Sequence, residues 1–324
     1  VDTDQQQQTE AARPPEKLTR SVAAFGIGRW PEGITLGANG LWVAESGRRT
    51  IARLDPDSGK LLNRVKVGRL PVGMITGPDG TVYSLVHTDR ALWAQYKSGK
   101  GKRVLKLKGY PDRMTRHGDN IWILTWPEGS SGSIQFVRFN MRSGKTETFR
   151  ILRKDQDYAG NNREFTVAAA GKYEAPLIWT VFGNGLVLAL SGADMSRFAY
   201  GGVKNTFANS VEVTEKYVIV TGRDETTKKG VILVLDSTTA KLIKRHDVPQ
   251  MVYKTTKASG FILAVSGPAL YVISATNGNI VREIALDGPW GDIRGLYAND
   301  NRLYATRFTN DNDGQVLMLE NWKP

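Results

Sequence analysis

The chain repeats itself with a step of 40 residues. Pro31-Glu32-Gly33-Ile34 recurs as Pro71-Val72-Gly73-Met74 and again as Pro111-Asp112-Arg113-Met114. Two further markers keep the same phase. Gly37-Ala38-Asn39-Gly40 returns as Gly77-Pro78-Asp79-Gly80, with Gly118-Asp119-Asn120 in the third repeat. Asp57-Ser58-Gly59-Lys60 returns as Lys97-Ser98-Gly99-Lys100 and Arg142-Ser143-Gly144-Lys145, then decays to Thr238-Thr239-Ala240-Lys241 and Asn277-Gly278-Asn279. A period of this length belongs to solenoids or propellers. The strand pattern chooses between them. The first repeat holds four short β-type runs, Gly33–Leu36, Leu41–Glu45, Thr50–Leu54 and Leu61–Val67, with turn residues between them. Helical periodicity is missing throughout, and four strands per repeat make one propeller blade.

Counted along 324 residues, the repeats predict an all-β, seven-bladed β-propeller with four-stranded blades. Later blades are looser: the fourth from Glu164 to Gly202, the fifth and sixth starting near Phe207 and Met251, and the seventh starting near Ile293 and stopping at Pro324 without an outer strand. The missing strand is expected at the other end. The stretch Ser21 to Gly33 matches Arg64 to Gly73 in character, and each leads into a blade start, so Leu18–Ile27 should pair into the last blade and close the ring. Closure removes two exposed sheet edges. Residues 1–17, with the glutamine run Gln5–Gln8, read as a flexible tail and 18–324 as a single propeller domain.

Composition narrows function little. There is no cysteine, so disulfides and thiolate metal sites are excluded. No apolar run reaches the length of a membrane span. Together with a chain that starts at Val1, this gives an expectation of an exported bacterial protein, periplasmic or at the cell surface. Net charge is +12, which favours anionic partners. The outer strand of the second blade concentrates Lys97, Lys100, Lys102, Arg103, Lys106 and Lys108. Such lysines guard a sheet edge, or they face a polyanion or lipid headgroups. Aromatics for base stacking are scarce there, which makes nucleic acid the weaker partner.

The Pro-x-Gly blade start, the Gly-x-[Asn/Asp]-Gly turn before a Trp or Tyr strand, and the Leu-Asp-x-x-[Ser/Thr]-x-x-Lys turn (Leu54-Asp55 to Lys60; Leu235-Asp236 to Lys241) resemble the seven-bladed propellers of the streptogramin-lyase-like and YVTN-type families over about residues 20–320. The resemblance implies the fold. Its lyase members use a histidine and a glutamate of late blades beside a metal. This chain has three histidines, His87, His117 and His246, and none follows the proline of a blade start.

Two loop types of a propeller open on the face that usually carries the site. Trp30-Pro31-Glu32-Gly33 and Trp126-Pro127-Glu128-Gly129 lie in those loops, where two Trp–Glu pairs can stack on a sugar or cation. Glu45, Arg48, His87, Arg90, Arg113, Arg223, Arg294 and Arg307 are expected from the same loops, with Asp89, Asp224 and Asp292 beside them; arginines around a funnel suit a carboxylate or phosphate. Trp42, Val82, Trp122 and Trp179 read as packing between blades. Asn310-Asp311-Asn312-Asp313-Gly314 lacks the full calcium-loop register and reads as a turn. The expectation is a non-catalytic propeller without cofactor or metal that binds a small molecule, glycan or protein at its loop-rich face. A lyase or hydrolase using His87 with Glu45 or Glu128 is the first alternative, and polyanion binding through the basic strand the second.

Overall fold

The turns announced by the markers close hairpins. Asp55 and Lys60 close the turn before the outer strand of the first blade: Asp55 N donates to Lys60 O at 2.8 Å, and Ser58 N to Asp55 Oδ1 at 2.8 Å. Gly59 sits there at φ +68°, and Gly99, Gly144 and Gly278 repeat it at +81°, +70° and +70°. In the fifth blade Ala240 adopts φ +58° at the same corner, with Thr239 N on Asp236 Oδ1 at 2.8 Å. The geometry therefore outlives the glycine that marks it in sequence.

These hairpins stack into seven sheets in a ring, a seven-bladed propeller with no helix among the described residues. The computed structural model describes residues 15–126, 134–150, 163–168, 176–287, 292–309 and 313–324. Each blade runs from the channel outward. Blade 1 comprises Pro31–Gly37, Gly40–Glu45, Thr50–Leu54 and Leu61–Lys66. The inner strands of the others are Pro71–Thr76, Tyr110–His117, Arg163–Ala168, Thr206–Val213, Lys254–Ala258 and Ile293–Ala298.

Ala23–Ile27 pairs antiparallel with Gly314–Glu320 and completes blade 7, so the ring closes on the N-terminal strand. The segment before it does something else. Glu16–Ser21 pairs parallel with Ile280–Asp287 and adds a fifth strand to blade 6. Leu18–Ile27 is thus two strands on two blades, and the first of them begins inside the stretch expected as tail. Outer strands leave an unpaired edge; here the chain crosses from one edge to the next and covers both.

The core lies between blades. Trp42 is 1% exposed and packs with Met74, Val82 and Val86 of blade 2. Trp122 packs with Ile178 and Phe182 of blade 4, and Trp179 with Ala208 and Val211 of blade 5. The blade 2 equivalent of Trp42 is Tyr83 rather than Val82. Trp42 stands opposite Thr35 and Arg53, and Tyr83 opposite Ile75 and Ala94. The shift arises because the turn from Gly77 to Thr81, closed by Gly77 N to Thr81 O at 2.8 Å, is one residue longer than that from Gly37 to Gly40.

Candidate functional site

The inner strands share an irregularity. Pairing with the second strand slips between Pro31 and Ile34, Pro71 and Met74, Pro111 and Arg113, Ala208 and Ser210, and Ile293 and Gly295. Five blades therefore carry a β-bulge at the same level. A bulge releases one residue from the ladder and re-aims its side chain. Here the released residues include Glu32, Val72, Asp112, Asn209 and Arg294, and all five line one cavity at the channel mouth. Lys254 joins them from blade 6, where the inner strand pairs without a slip.

The cavity measures about 660 Å³. Its lining carries Glu32, Asp112, Glu212 and Asp292 against Arg113, Lys254 and Arg294, with Met74, Met114, Val211 and Leu296 among its apolar groups. The charges are partly paired already. Arg113 Nη1 donates to Asp112 Oδ1 at 2.9 Å, and Arg294 Nη2 approaches Asp292 Oδ1 at 3.0 Å. The Arg294 guanidinium also stacks over Phe308 at 4.6 Å. Burial pushes the Glu32 carboxyl above its ordinary value, and Arg294, Arg113 and Lys254 pull it back without cancelling the rise. Asn209 is held by its neighbour blade: its Nδ2 donates to Val252 O at 3.3 Å and Tyr253 O at 2.6 Å.

Of the residues expected at the site, the cavity gathers Glu32, Arg113 and Arg294. Trp126 reaches it indirectly, donating from Nε1 to Asp112 Oδ2 at 3.3 Å. Glu128 lies outside the described residues, as do Asn310, Asp311 and Asn312. Trp30 is 46% exposed at φ +53°, just before the proline of the blade start. Arg48 is exposed on the adjoining turn.

Glu45 is fully buried and committed to structure. Gly28 N donates to its Oε1 at 2.8 Å, Thr50 Oγ1 to its Oε2 at 2.6 Å, and Arg64 grips both oxygens at 2.8 and 3.0 Å. His87 stacks on Tyr110, with 5.4 Å between ring centroids, and its Nδ1 lies 2.7 Å from Pro111 O. Arg90 covers the same tyrosine ring at 4.3 Å. Neither Glu45 nor His87 lines the channel cavity; the Glu45 oxygens accept from Gly28, Thr50 and Arg64, and His87 Nδ1 lies against Pro111 O. Arg223 binds Glu225 at 2.8 Å, and Arg307 donates to Gln315 Oε1 at 2.9 Å, both away from the cavity. His117 ends an inner strand beside the opposite turn, and burial lowers its pKa. His246 Nε2 lies 3.0 Å from Gly278 O on the outer side of blade 5. Among the described residues, no three His, Asp or Glu side chains gather closely enough to hold a metal ion.

Sequence reasoning missed Asp112, Asn209 and Lys254 as site residues. The signal was the middle position of the Pro-x-Gly marker, which is where the bulge falls. In blades 5 and 6 the flanking proline and glycine have gone, and the position is hard to find without the pairing.

The fold and the rim together define a seven-bladed propeller with a charged mouth to its central channel. No protein-family model matches the chain, and no curated protein matches it in sequence. Solved structures do match it in shape. Streptogramin B lyase superposes with a TM-score of 0.66 at 14% identity, over 92% of this chain and 97% of that one. Selenomethionine-substituted virginiamycin B lyase from Staphylococcus aureus gives 0.65 at 12%, over 93% and 99%. A catalytically inactive form of that enzyme with quinupristin gives 0.65 at 13%, over 92% and 99%. Likeness at this identity is one of fold.

Proposed function

We propose that this propeller is a binding protein whose site is the mouth of the central channel, and that its ligand is a polar molecule carrying at least one anionic group. The observation that supports this is the bulge ring: equivalent positions on different blades aim Glu32, Asp112 and Arg294 into one cavity. Arg113, Lys254 and Arg294 offer charge-assisted hydrogen bonds to a carboxylate or phosphate. Glu32 and Asp112 take donors from the same ligand, and the methionines of the lining take its apolar part.

A thermal-shift screen of amino acids, short peptides and phosphorylated metabolites tests the proposal. A compound that raises the melting temperature of the wild type should lose that effect in Arg294→Gln and in Glu32→Gln. Equal shifts in all three proteins would move the site elsewhere.

Acid–base chemistry is the competing reading, favoured by the raised pKa of Glu32 inside a cavity. It would use a carboxyl rather than a histidine, because His87, His117 and His246 are all absent from the lining of this cavity. Incubation with quinupristin, the compound present with the inactive virginiamycin B lyase, separates the two readings. Binding alone leaves quinupristin chromatographically unchanged. Turnover that disappears in Glu32→Gln would establish the enzyme.

A further inference from the structure

We propose that the outer rim of blades 1 and 2 docks on an anionic lipid surface, through lysines flanked by exposed leucine and tyrosine side chains. This does not rest on the channel reading.

The charge of the chain is unevenly placed. Between residues 60 and 108 there are 11 Lys and Arg against 2 Asp and Glu, a local excess of +9 within a total of +12. This stretch runs from the outer strand of blade 1, Leu61–Lys66, through the outer strand of blade 2, Gly101–Lys106. Lys60, Lys66, Lys97, Lys100, Lys102 and Lys106 are all exposed. The two blades meet along this rim: Asn39 Nδ2 donates to Lys97 O at 2.6 Å, and Asn63 Nδ2 to Gly99 O at 3.5 Å. The lysines of one blade therefore continue those of the next.

Edge protection accounts for only part of this. The outer strands of blades 3 and 5 carry mixed charge, Glu147 with Arg150 in one and Arg245 with Asp247 in the other. The excess here also extends into the turn at Lys97 and Lys100, which is not a sheet edge.

A second feature selects a membrane over other polyanions. Leu61, Leu62 and Tyr96 are 40%, 45% and 39% exposed at the same end of these two blades. Asn63 follows Leu62, and its Nδ2 reaches Gly99 O in the turn that Tyr96 opens, so the strand bearing the leucines adjoins that turn. Cations attract anionic headgroups, and shallow apolar insertion adds affinity at the headgroup–acyl boundary. A sulfated glycan or a nucleic acid gains little from leucines.

The test uses the full chain and sedimentation with phosphatidylcholine vesicles, with and without about one third phosphatidylglycerol. Binding should need the anionic lipid and weaken as salt rises from about 0.05 to 0.5 M. Each lysine lost should reduce partitioning about fivefold, so Lys97→Glu/Lys100→Glu/Lys102→Glu should abolish it. Leu61→Ser/Leu62→Ser should weaken vesicle binding while leaving retention on heparin unchanged, and Lys241→Glu in blade 5 should change neither. All these positions are exposed, so circular dichroism should show each variant folded. Absence of binding to anionic vesicles, or undiminished binding by the triple variant, would overturn the proposal. Vesicle binding indifferent to the leucine substitutions, together with heparin or DNA binding of equal strength, would make the rim a general polyanion surface and overturn it equally.

Discussion

Glu32 and Glu45 are both glutamates beside the channel face, and their surroundings give them opposite work. Glu45 has four donors on its two oxygens and no exposure, and one donor is the amide of Gly28 at the end of the closing strand. Breaking a buried, fully bonded pair of this kind costs about 3 kcal/mol. Glu45→Ala should therefore lower stability by that order in urea unfolding, without changing ligand binding per folded molecule. Glu32 is the reverse case. Its carboxyl pKa is raised, so the neutral form is favoured in the folded state. The stability this gives is present at low pH and is lost as pH rises through the raised value. Glu32→Gln mimics the neutral form. It should leave the melting temperature unchanged or higher at pH 7, while ligand-induced stabilisation is lost. A large drop in melting temperature would instead place Glu32 in the structural framework.

The sequence made Glu32, Arg113 and Arg294 legible because they sit at blade starts, which the repeat numbers. It could not separate Glu45 from them. Position along the repeat says which face a residue approaches, whereas burial depends on Gly28 and Arg64, which are distant in the chain. His87 misleads for the same reason: Tyr110 and Pro111, from the following blade, take up its ring and its Nδ1.

At the scale of single elements, the hairpin turn between the third and fourth strands of blades 1 to 6 is the most regular part of the molecule. Its aspartates are held in ionised form by local donors. Backbone and side-chain donors of Ser58 lower the pKa of Asp55, and Thr238, with Thr239, lowers that of Asp236 to about 2. Asp194 is lowered in the same way by Ser196. A depressed carboxyl pKa contributes stability above the unfolded value, and that contribution fades as pH falls through the folded one. The melting temperature should accordingly drop between about pH 4 and 2, with a shallower acid limb in Asp55→Asn/Asp236→Asn. An identical acid limb in that variant would assign the effect to other carboxyls. The turns were readable in sequence wherever glycine marked them. At Met195 and Ala240 the same left-handed corner occurs without it, at φ +62° and +58°, and there the marker fades.

At the scale of the whole molecule, the N-terminal segment holds two blades. Deletion through Ser21 removes the parallel fifth strand of blade 6 and leaves blade 7 complete. Deletion through Gly28 also removes the outer strand of blade 7 and the amide bonded to Glu45. The first truncation should stay soluble with a modest fall in melting temperature, and the second should aggregate or unfold. Matching behaviour of the two would show that the antiparallel closure does not hold the ring. The closing strand was visible because it keeps the phase of the repeat. The parallel strand was not, since an addition to the rim of a finished blade need not obey the repeat.

The claim that matters most is that the bulge ring at the channel mouth is where a ligand sits. Crystals of the full chain, soaked with the screened compound that raises its melting temperature most, test this directly. Ligand density is expected within hydrogen-bonding distance of Glu32 and Arg294. Ligand density at any other place on the propeller, with the channel mouth filled by solvent, would contradict it.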